Sequence, residues 1–245
     1  MFTGNYKIAD KVIAVTSIYE QVHQLCQDYR TEETAEYAVS ITEQDLQFER
    51  EKSRKTALKE GRKPYDFAPG YLEELAVYRK ISEKMPDYDT FLFHGSVIAV
   101  DGQGYLFTAK SGTGKSTHTR LWRKMLGEKA VMVNDDKPLL HIQDDKTVIV
   151  YGTPYNGKHH LGCNISVPLK ALCILERGEE NSIRQISRTE AYTMLLQQVY
   201  HPMNALQMQK TLTLIDKLAS RVSLYRLHCN MNPSAAETAY NAMKG

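Results

Sequence analysis

The sequence predicts a mixed α/β fold, with a small N-terminal α+β lobe over residues 1–68 and a larger, strand-rich α/β domain over residues 69–245. Three observations predict it. Short apolar runs bounded by turn residues recur through the second part, as buried strands do. Two of these runs, 91–100 and 105–109, read as a hairpin that leads straight into a glycine-rich loop and a helix. Helical periodicity stands between and after the strand-like runs rather than alternating regularly with them.

In chain order, Val12-Ile13-Ala14-Val15 is strand-like, and 18–29 is helical, with Val22, Leu25 and Cys26 near helical spacing. Residues 36–41 read as another strand. Thr42, with Asp45 three residues on, is an N-cap signal. The charged run 49–63, in which Glu51 and Lys55 are helix neighbours, reads as a solvated helix or connector. Lys63-Pro64 through Pro69-Gly70 reads as a boundary. Residues 71–85 predict an amphipathic helix with Tyr71, Leu75, Tyr78 and Met85 on one face and Pro86 just beyond its end.

Phe91 to Val100 is apolar on both alternating faces and predicts one buried strand, followed by a turn at Asp101-Gly102-Gln103-Gly104 and a second strand from Tyr105 to Ala109. A helix over 115–126, a strand over 130–134 and a hairpin of 138–142 with 147–151 around Asp144-Asp145 come next. The remaining elements are a strand at 169–175, helices at 188–200 and 204–220, a strand at 222–227 and a helix at 234–243.

Composition excludes several classes. Hydrophobic residues at 42% and charged residues at 24% are those of an ordinary globular protein. A net charge of +2, from 31 basic and 29 acidic residues, is no electrostatic footprint for nucleic acid or an anionic membrane. No run approaches the ~18 apolar residues of a membrane span, and the first residues lack a basic-then-apolar signal pattern. Cys26, Cys163, Cys173 and Cys229 form no C-x-x-C pair and match no zinc spacing. They read as reduced thiols, and a cytoplasmic location is expected.

The segment Ala109-Lys110-Ser111-Gly112-Thr113-Gly114-Lys115-Ser116-Thr117 follows the phosphate-loop pattern G-x-x-x-x-G-K-[ST], with Ala109 in place of the first glycine. Phosphate oxygens need several inward-pointing backbone N–H groups, and only a permissive backbone folds that tightly. Ser111, Gly112, Thr113, Gly114, Lys115, Ser116 and Thr117 are therefore the candidate nucleotide-binding residues, with ATP and Mg²⁺ the expected ligands. Lys115 brings a positive charge to the outer phosphates, the Ser116 hydroxyl is a candidate Mg²⁺ ligand, and the helix that follows points its positive end at the anion.

About twenty residues on, the apolar run Val131-Met132-Val133-Asn134 ends in Asp135-Asp136. A strand of this kind beside the loop strand delivers carboxylates to the metal and the γ-phosphate. One can hold the cation while the other accepts the proton of an attacking hydroxyl. Asp135 is the candidate base and Asp136 the candidate metal ligand with Ser116. Adjacent strand residues point to opposite faces, so a kink or strand end is required to bring both in. Asp144-Asp145, inside a hairpin turn, reads as a solvated pair.

At this point the chain resembles the HPr kinase/phosphorylase catalytic domain and its relative, phosphoenolpyruvate carboxykinase. The resemblance rests on His94-Gly95 with Val97 to Val100 and Gly104 to Phe107, on the Ser111–Thr117 loop and on Asp135-Asp136, and it covers roughly residues 90–180. It implies a strand-rich, carboxykinase-like P-loop nucleotide domain, a catalytic carboxylate in the acidic pair, a metal near Ser116 and a mechanistic role for His94. It also suggests an oligomer. HPr kinases phosphorylate a protein serine, and some similar domains phosphorylate a serine in peptide precursors. Where HPr kinases carry a Glu-x-Arg-Gly-type signature, residues 151–164 here hold no carboxylate, so phosphorolysis and HPr as substrate do not carry over. The same stretch holds Lys158-His159-His160 between Gly157 and Gly162, a basic loop able to clamp transferring phosphoryl oxygens. Its adjacent histidines are poor zinc spacing. Arg177, among Glu176, Glu179 and Glu180, reads as a solvated turn.

The expected activity is therefore that of an ATP- and Mg²⁺-dependent kinase acting on the hydroxyl of a protein, peptide or small molecule. The alternatives are a nucleotide-binding regulatory module and a carboxykinase-like enzyme, the latter disfavoured by chain length. Neither nucleic acid nor membrane is an expected partner.

Overall fold

The computed structural model describes residues 1–157 and 159–245. The chain divides into two compact units, Met1–Lys84 and Met85–Gly245.

In the first unit, β1 (Phe2–Ile8) and β2 (Lys11–Ser17) form an antiparallel hairpin, and β3 (Tyr37–Ser40) pairs with β2 in parallel. The sequence reading lacked β1. Its alternation of Phe2, Tyr6 and Ile8 with Thr3, Asn5 and Lys7 was the available signal, but the two-residue turn is Ala9-Asp10, both left-handed, without the glycine that usually marks such a turn. The expected helix at 18–29 is shorter, with α1 over Gln21–Leu25 and a 3₁₀ turn over Gln27–Tyr29.

Two longer helices, α2 (Glu43–Lys59) and α3 (Pro69–Lys84), complete the unit. At the start of α2, the Thr42 backbone N–H donates to Asp45 Oδ2 at 3.0 Å, so the capping signal is real. The charged run is not wholly solvated, because Glu49 is 3% exposed and accepts from Arg79 Nε at 2.5 Å. On α3 the buried stripe includes Leu72, Ala76, Val77, Tyr78 and Ile81; of the expected face, Tyr78 and Met85 are buried, Leu75 is half-buried and Tyr71 is exposed. Helix α3 packs on α1, α2 and β3, and its Glu73 carboxylate accepts from the Ile18 and Tyr19 amides. It therefore belongs to the first unit, although the boundary expected at residue 68 put it in the second.

The second unit is built on a nine-stranded sheet. The strands are β4 (Thr90–Leu92), β5 (Ser96–Val100), β6 (Gln103–Thr108), β7 (Val131–Asn134), β8 (Leu139–Ile142), β9 (Val148–Tyr151), β10 (Ser166–Arg177), β11 (Ser182–Gln185) and β12 (Ser223–Cys229). The main order is β4-β8-β9-β10-β6-β5-β7, with β12 pairing β10 and β11 pairing β12. The helices are α4 (Lys115–Leu126), α5 (Arg188–Gln198), α6 (Ala205–Arg221) and α7 (Ser234–Met243).

Period-two alternation sorts the strands onto two cores. Val97, Ala99, Leu106, Leu172 and Ile174 pack with Leu195 of α5 and Leu214, Ile215 and Leu218 of α6. Their neighbours Ile98, Val100, Tyr105, Phe107, Cys173 and Leu175 pack with Trp122 of α4 and Ala236, Ala239 and Met243 of α7. Strands covered on both faces read as continuous apolar runs, and each fully buried large side chain such as Phe107 contributes about 1.5–3 kcal/mol.

Two expectations need correction. The run 91–100 is not one strand but β4 and β5, which pair with different partners across a break at Phe93–Gly95. In addition, β7 does not lie beside the loop strand β6, because β5 stands between them.

Candidate active site

The glycine-rich loop leaves the carboxyl end of β6 and opens α4 at Lys115. Gly112 and Gly114 have φ of 76° and 121°, conformations that side-chain-bearing residues rarely adopt. Ala109 is fully buried in the α4/α7 core and its φ is not positive, so a methyl group replaces the first glycine of the pattern without strain. Arg177, exposed at the end of β10 rather than in a turn, donates through Nη2 to the Gly112 carbonyl at 2.7 Å.

The acidic pair follows the end of β7. Asn134, fully buried, makes the required kink: its Oδ1 accepts from the Asp136 and Lys137 amides at 2.9 and 2.7 Å. Its Nδ2 donates to Thr153 Oγ1 at 3.0 Å, and the Thr153 hydroxyl donates to the Lys137 carbonyl at 2.9 Å. From the other side, Ser96 Oγ donates to the Asp135 carbonyl and the Gly95 amide to the Asp136 carbonyl, each at 3.0 Å.

The two carboxylates sit in different surroundings. Asp135 is 6% exposed, and its Oδ1 has no hydrogen-bond partner among the described residues. Burial raises its pKa, and the Asp136 charge adds to the rise; the Ser96 and Ser116 hydroxyls and His159 oppose it. Asp136 is pushed up by burial too, but His94, Lys137 and Lys115 outweigh that and hold it below the usual carboxylate range. Lys115 is shifted down by burial, against the pull of Asp136 and Asp135.

His94 lies in the break between β4 and β5, not on a strand. Its Nε2 is 3.3 Å from Asp136 Oδ1, and its Nδ1 is 2.8 Å from Gln198 Oε1 at the end of α5. Nε2 thus faces the carboxylate while Nδ1 faces the amide oxygen, so Gln198 sets the orientation of the ring. The backbone fixes the same contact, because the His94 amide donates to the Gln198 carbonyl at 2.7 Å.

Lys115, Ser116, Asp135, Asp136 and His94 are thus brought together. His159 reaches Asp135 electrostatically. Gly157 lies against the acidic pair, since a Cβ on it would stand 3.4 Å from Asp135 Oδ2. His160 is exposed with a φ of 46°. Lys158 lies outside the described residues. Ser111, Gly112, Thr113 and Thr117 lie along the loop and the first turn of α4. Gln198, Ser96, Asn134 and Thr153 escaped sequence reasoning. Only the Asn134–Asp135–Asp136 string carried a usable signal, that of a side chain able to cap its own turn.

Fold and site define a mixed α/β protein with a glycine-rich, lysine-bearing loop facing a buried acidic pair. The sequence matches the family described as "SynChlorMet cassette protein ScmC" over residues 72–235, well over half of the chain. The chain belongs to the ScmC family. The match begins within α3, and it is to a different family from the HPr kinases that residues 90–180 resemble. No curated protein matches the sequence. Among solved structures, the HPr(Ser) kinase/phosphatase from Coxiella burnetii aligns with a TM-score of 0.36 at 11% identity, over 63% of this chain and 99% of that one. Among the described residues, no helix is long and apolar enough to cross a membrane.

Proposed function

We propose that this protein is an ATP- and Mg²⁺-dependent kinase that transfers the γ-phosphoryl group to the hydroxyl of a protein, peptide or small molecule. The observation that carries this reading is Asp135: a buried carboxylate, made more basic by its surroundings, with one oxygen unpartnered and a phosphate-loop serine beside it. An orphaned buried acceptor is costly unless something completes it. A hydroxyl donating its proton to Oδ1 would do so.

The loop amides and Lys115 hold the phosphates. A hard-oxygen set, the Ser116 hydroxyl and the Asp136 carboxylate, suits Mg²⁺ and would hold it. When bound, the ion supplies neutralisation of the negative charge that develops on the phosphoryl oxygens. Asp136 stays ionised, oriented by His94, which Gln198 in turn orients. Asp135 takes the acceptor's proton as the new P–O bond forms and the bond to the nucleoside diphosphate breaks. His159, with Lys158 and His160 on the same loop, is the candidate clamp on the moving phosphoryl group.

Incubation with γ-labelled ATP, Mg²⁺ and a host lysate or metabolite extract tests this reading. The label should move to a hydroxyl acceptor with wild-type protein and stay on ATP with Asp135→Asn. If ATP binds yet no acceptor is ever labelled, the protein is a nucleotide-binding regulatory module instead.

A further inference from the structure

Lys137 is the first residue beyond the acidic pair, and its backbone is fixed on both sides. Its amide donates to Asn134 Oδ1 at 2.7 Å, and its carbonyl accepts from the Thr153 hydroxyl at 2.9 Å. The ammonium, by contrast, stands on a flexible four-carbon stem. It lies 3.9 Å from Asp136 Oδ2, and the side chain is 33% exposed. His94 Nε2 meets the other oxygen of the same carboxylate at 3.3 Å. Asp136 thus holds a cationic head group on the oxygen that does not face His94.

Like charges compete for one carboxylate. A divalent cation held by Asp136 and Ser116 would repel an ammonium so close to Asp136 Oδ2. The ammonium can leave without any backbone movement, because only the main chain of Lys137 is anchored. Charge balance gives it a destination. Mg²⁺–ATP is still an anion when it reaches a site that already holds two carboxylates. The charge that develops on the transferring phosphoryl oxygens calls for positioned cations, and residues 151–164 hold no arginine to supply one.

We infer that Lys137 is a further catalytic residue: before metal binds, its ammonium serves as counter-ion to Asp136, and on metal binding it moves to the oxygens of the transferring phosphoryl group. The inference rests on the proposed phosphoryl-transfer reading of the site. Lys137 keeps its protons throughout, so it supplies charge and hydrogen bonds and takes no part in the proton transfer to Asp135. A merely structural ion pair makes the opposite prediction for the metal. Without its ammonium partner, Asp136 would be less well oriented and would hold a cation no better.

Two measurements on the full chain test it. Mn²⁺ alone, followed by electron paramagnetic resonance without nucleotide, should bind Lys137→Met about threefold or more tightly than wild type, because a competing cation is gone. Lys137→Arg, which keeps the charge, should stay within about twofold of wild type. Transfer of label from γ-labelled ATP with Mg²⁺ in a host lysate should fall about 10²-fold in Lys137→Met and recover at least about tenfold in Lys137→Arg. If Lys137→Met does not fold, Lys137→Gln gives the same pair of readings. Equal or weaker Mn²⁺ binding by the uncharged variant, or wild-type transfer rates in it, overturns the role of Lys137 and leaves the kinase reading standing. If wild type does not turn over Mg²⁺–ATP at all, the phosphoryl-transfer reading itself fails, and the role of Lys137 falls with it.

Discussion

Asp135 and Asp136 are neighbours in sequence, but burial leaves the first more basic than a free carboxylate while His94, Lys137 and Lys115 keep the second ionised. Environments that push two carboxylates apart divide acid–base work from charge stabilisation. Asp135→Asn should therefore lower phosphoryl transfer about 10²–10⁴-fold with nucleotide affinity nearly unchanged. Asp136→Asn should instead raise the Mg²⁺ concentration needed for half-maximal rate. Steady-state kinetics over a Mg²⁺ series separates the two, and identical Mg²⁺ dependence in both variants would reverse or merge the roles. Gln198 contacts His94, and on the proposed function it is a positioning residue. Gln198→Leu should lower kcat about 10–100-fold while the KM for ATP stays put, and a changed KM with normal kcat would assign Gln198 to packing alone.

At the scale of elements, the loop and its helix were the most legible part of the chain. The helix over 115–126 follows from a local glycine–lysine pattern and from apolar spacing, both of which lie within a few residues. The φ of 121° at Gly114 makes Gly114→Ala a strained change costing about 1–3 kcal/mol, and it should abolish detectable nucleotide binding. Ala109→Gly restores the usual pattern yet should bring no gain in affinity, only about 1 kcal/mol of lost stability, measurable by denaturant unfolding. Less legible was the charged helix α2, because the sequence does not reveal that Arg79 of α3 meets Asp45 and Glu49.

The same helix pair carries a pH prediction. Burial pushes Asp45 upward, but hydrogen bonds from Lys80, Thr42 and Arg79 prevail and hold it at about 2. A depressed carboxyl stabilises the fold fully above its unfolded value near 3.9 and loses that contribution as pH falls through the folded value. Acidification from pH 4 to 2 should thus remove about 1–2 kcal/mol attributable to Asp45, discounted because Lys80 is partly exposed. Chemical denaturation at both pH values should show a smaller loss in Asp45→Asn than in wild type. Equal losses would remove Asp45 from the account.

For the molecule as a whole, individual strands were readable and their order was not. Nothing local announces that β5 separates β6 from β7, or that β10 leaves β9 to run between β6 and β12, since these pairings join segments far apart in the chain. The candidate site shows the same divide. Lys115, Ser116 and the acidic pair were marked by motif, while Gln198 comes from more than a hundred residues beyond His94 and meets it only because α5 ends at the break after β4. Calorimetric titration of Mg²⁺–ATP into wild-type protein and Lys115→Ala is the most direct test of the central claim that this loop holds a nucleotide's phosphates beside two carboxylates. The account predicts saturable one-to-one binding by wild type that weakens at least about a hundredfold in the variant, the loss of a charged, partly buried contact. Absence of binding by wild type, or equal binding by both proteins, would contradict it.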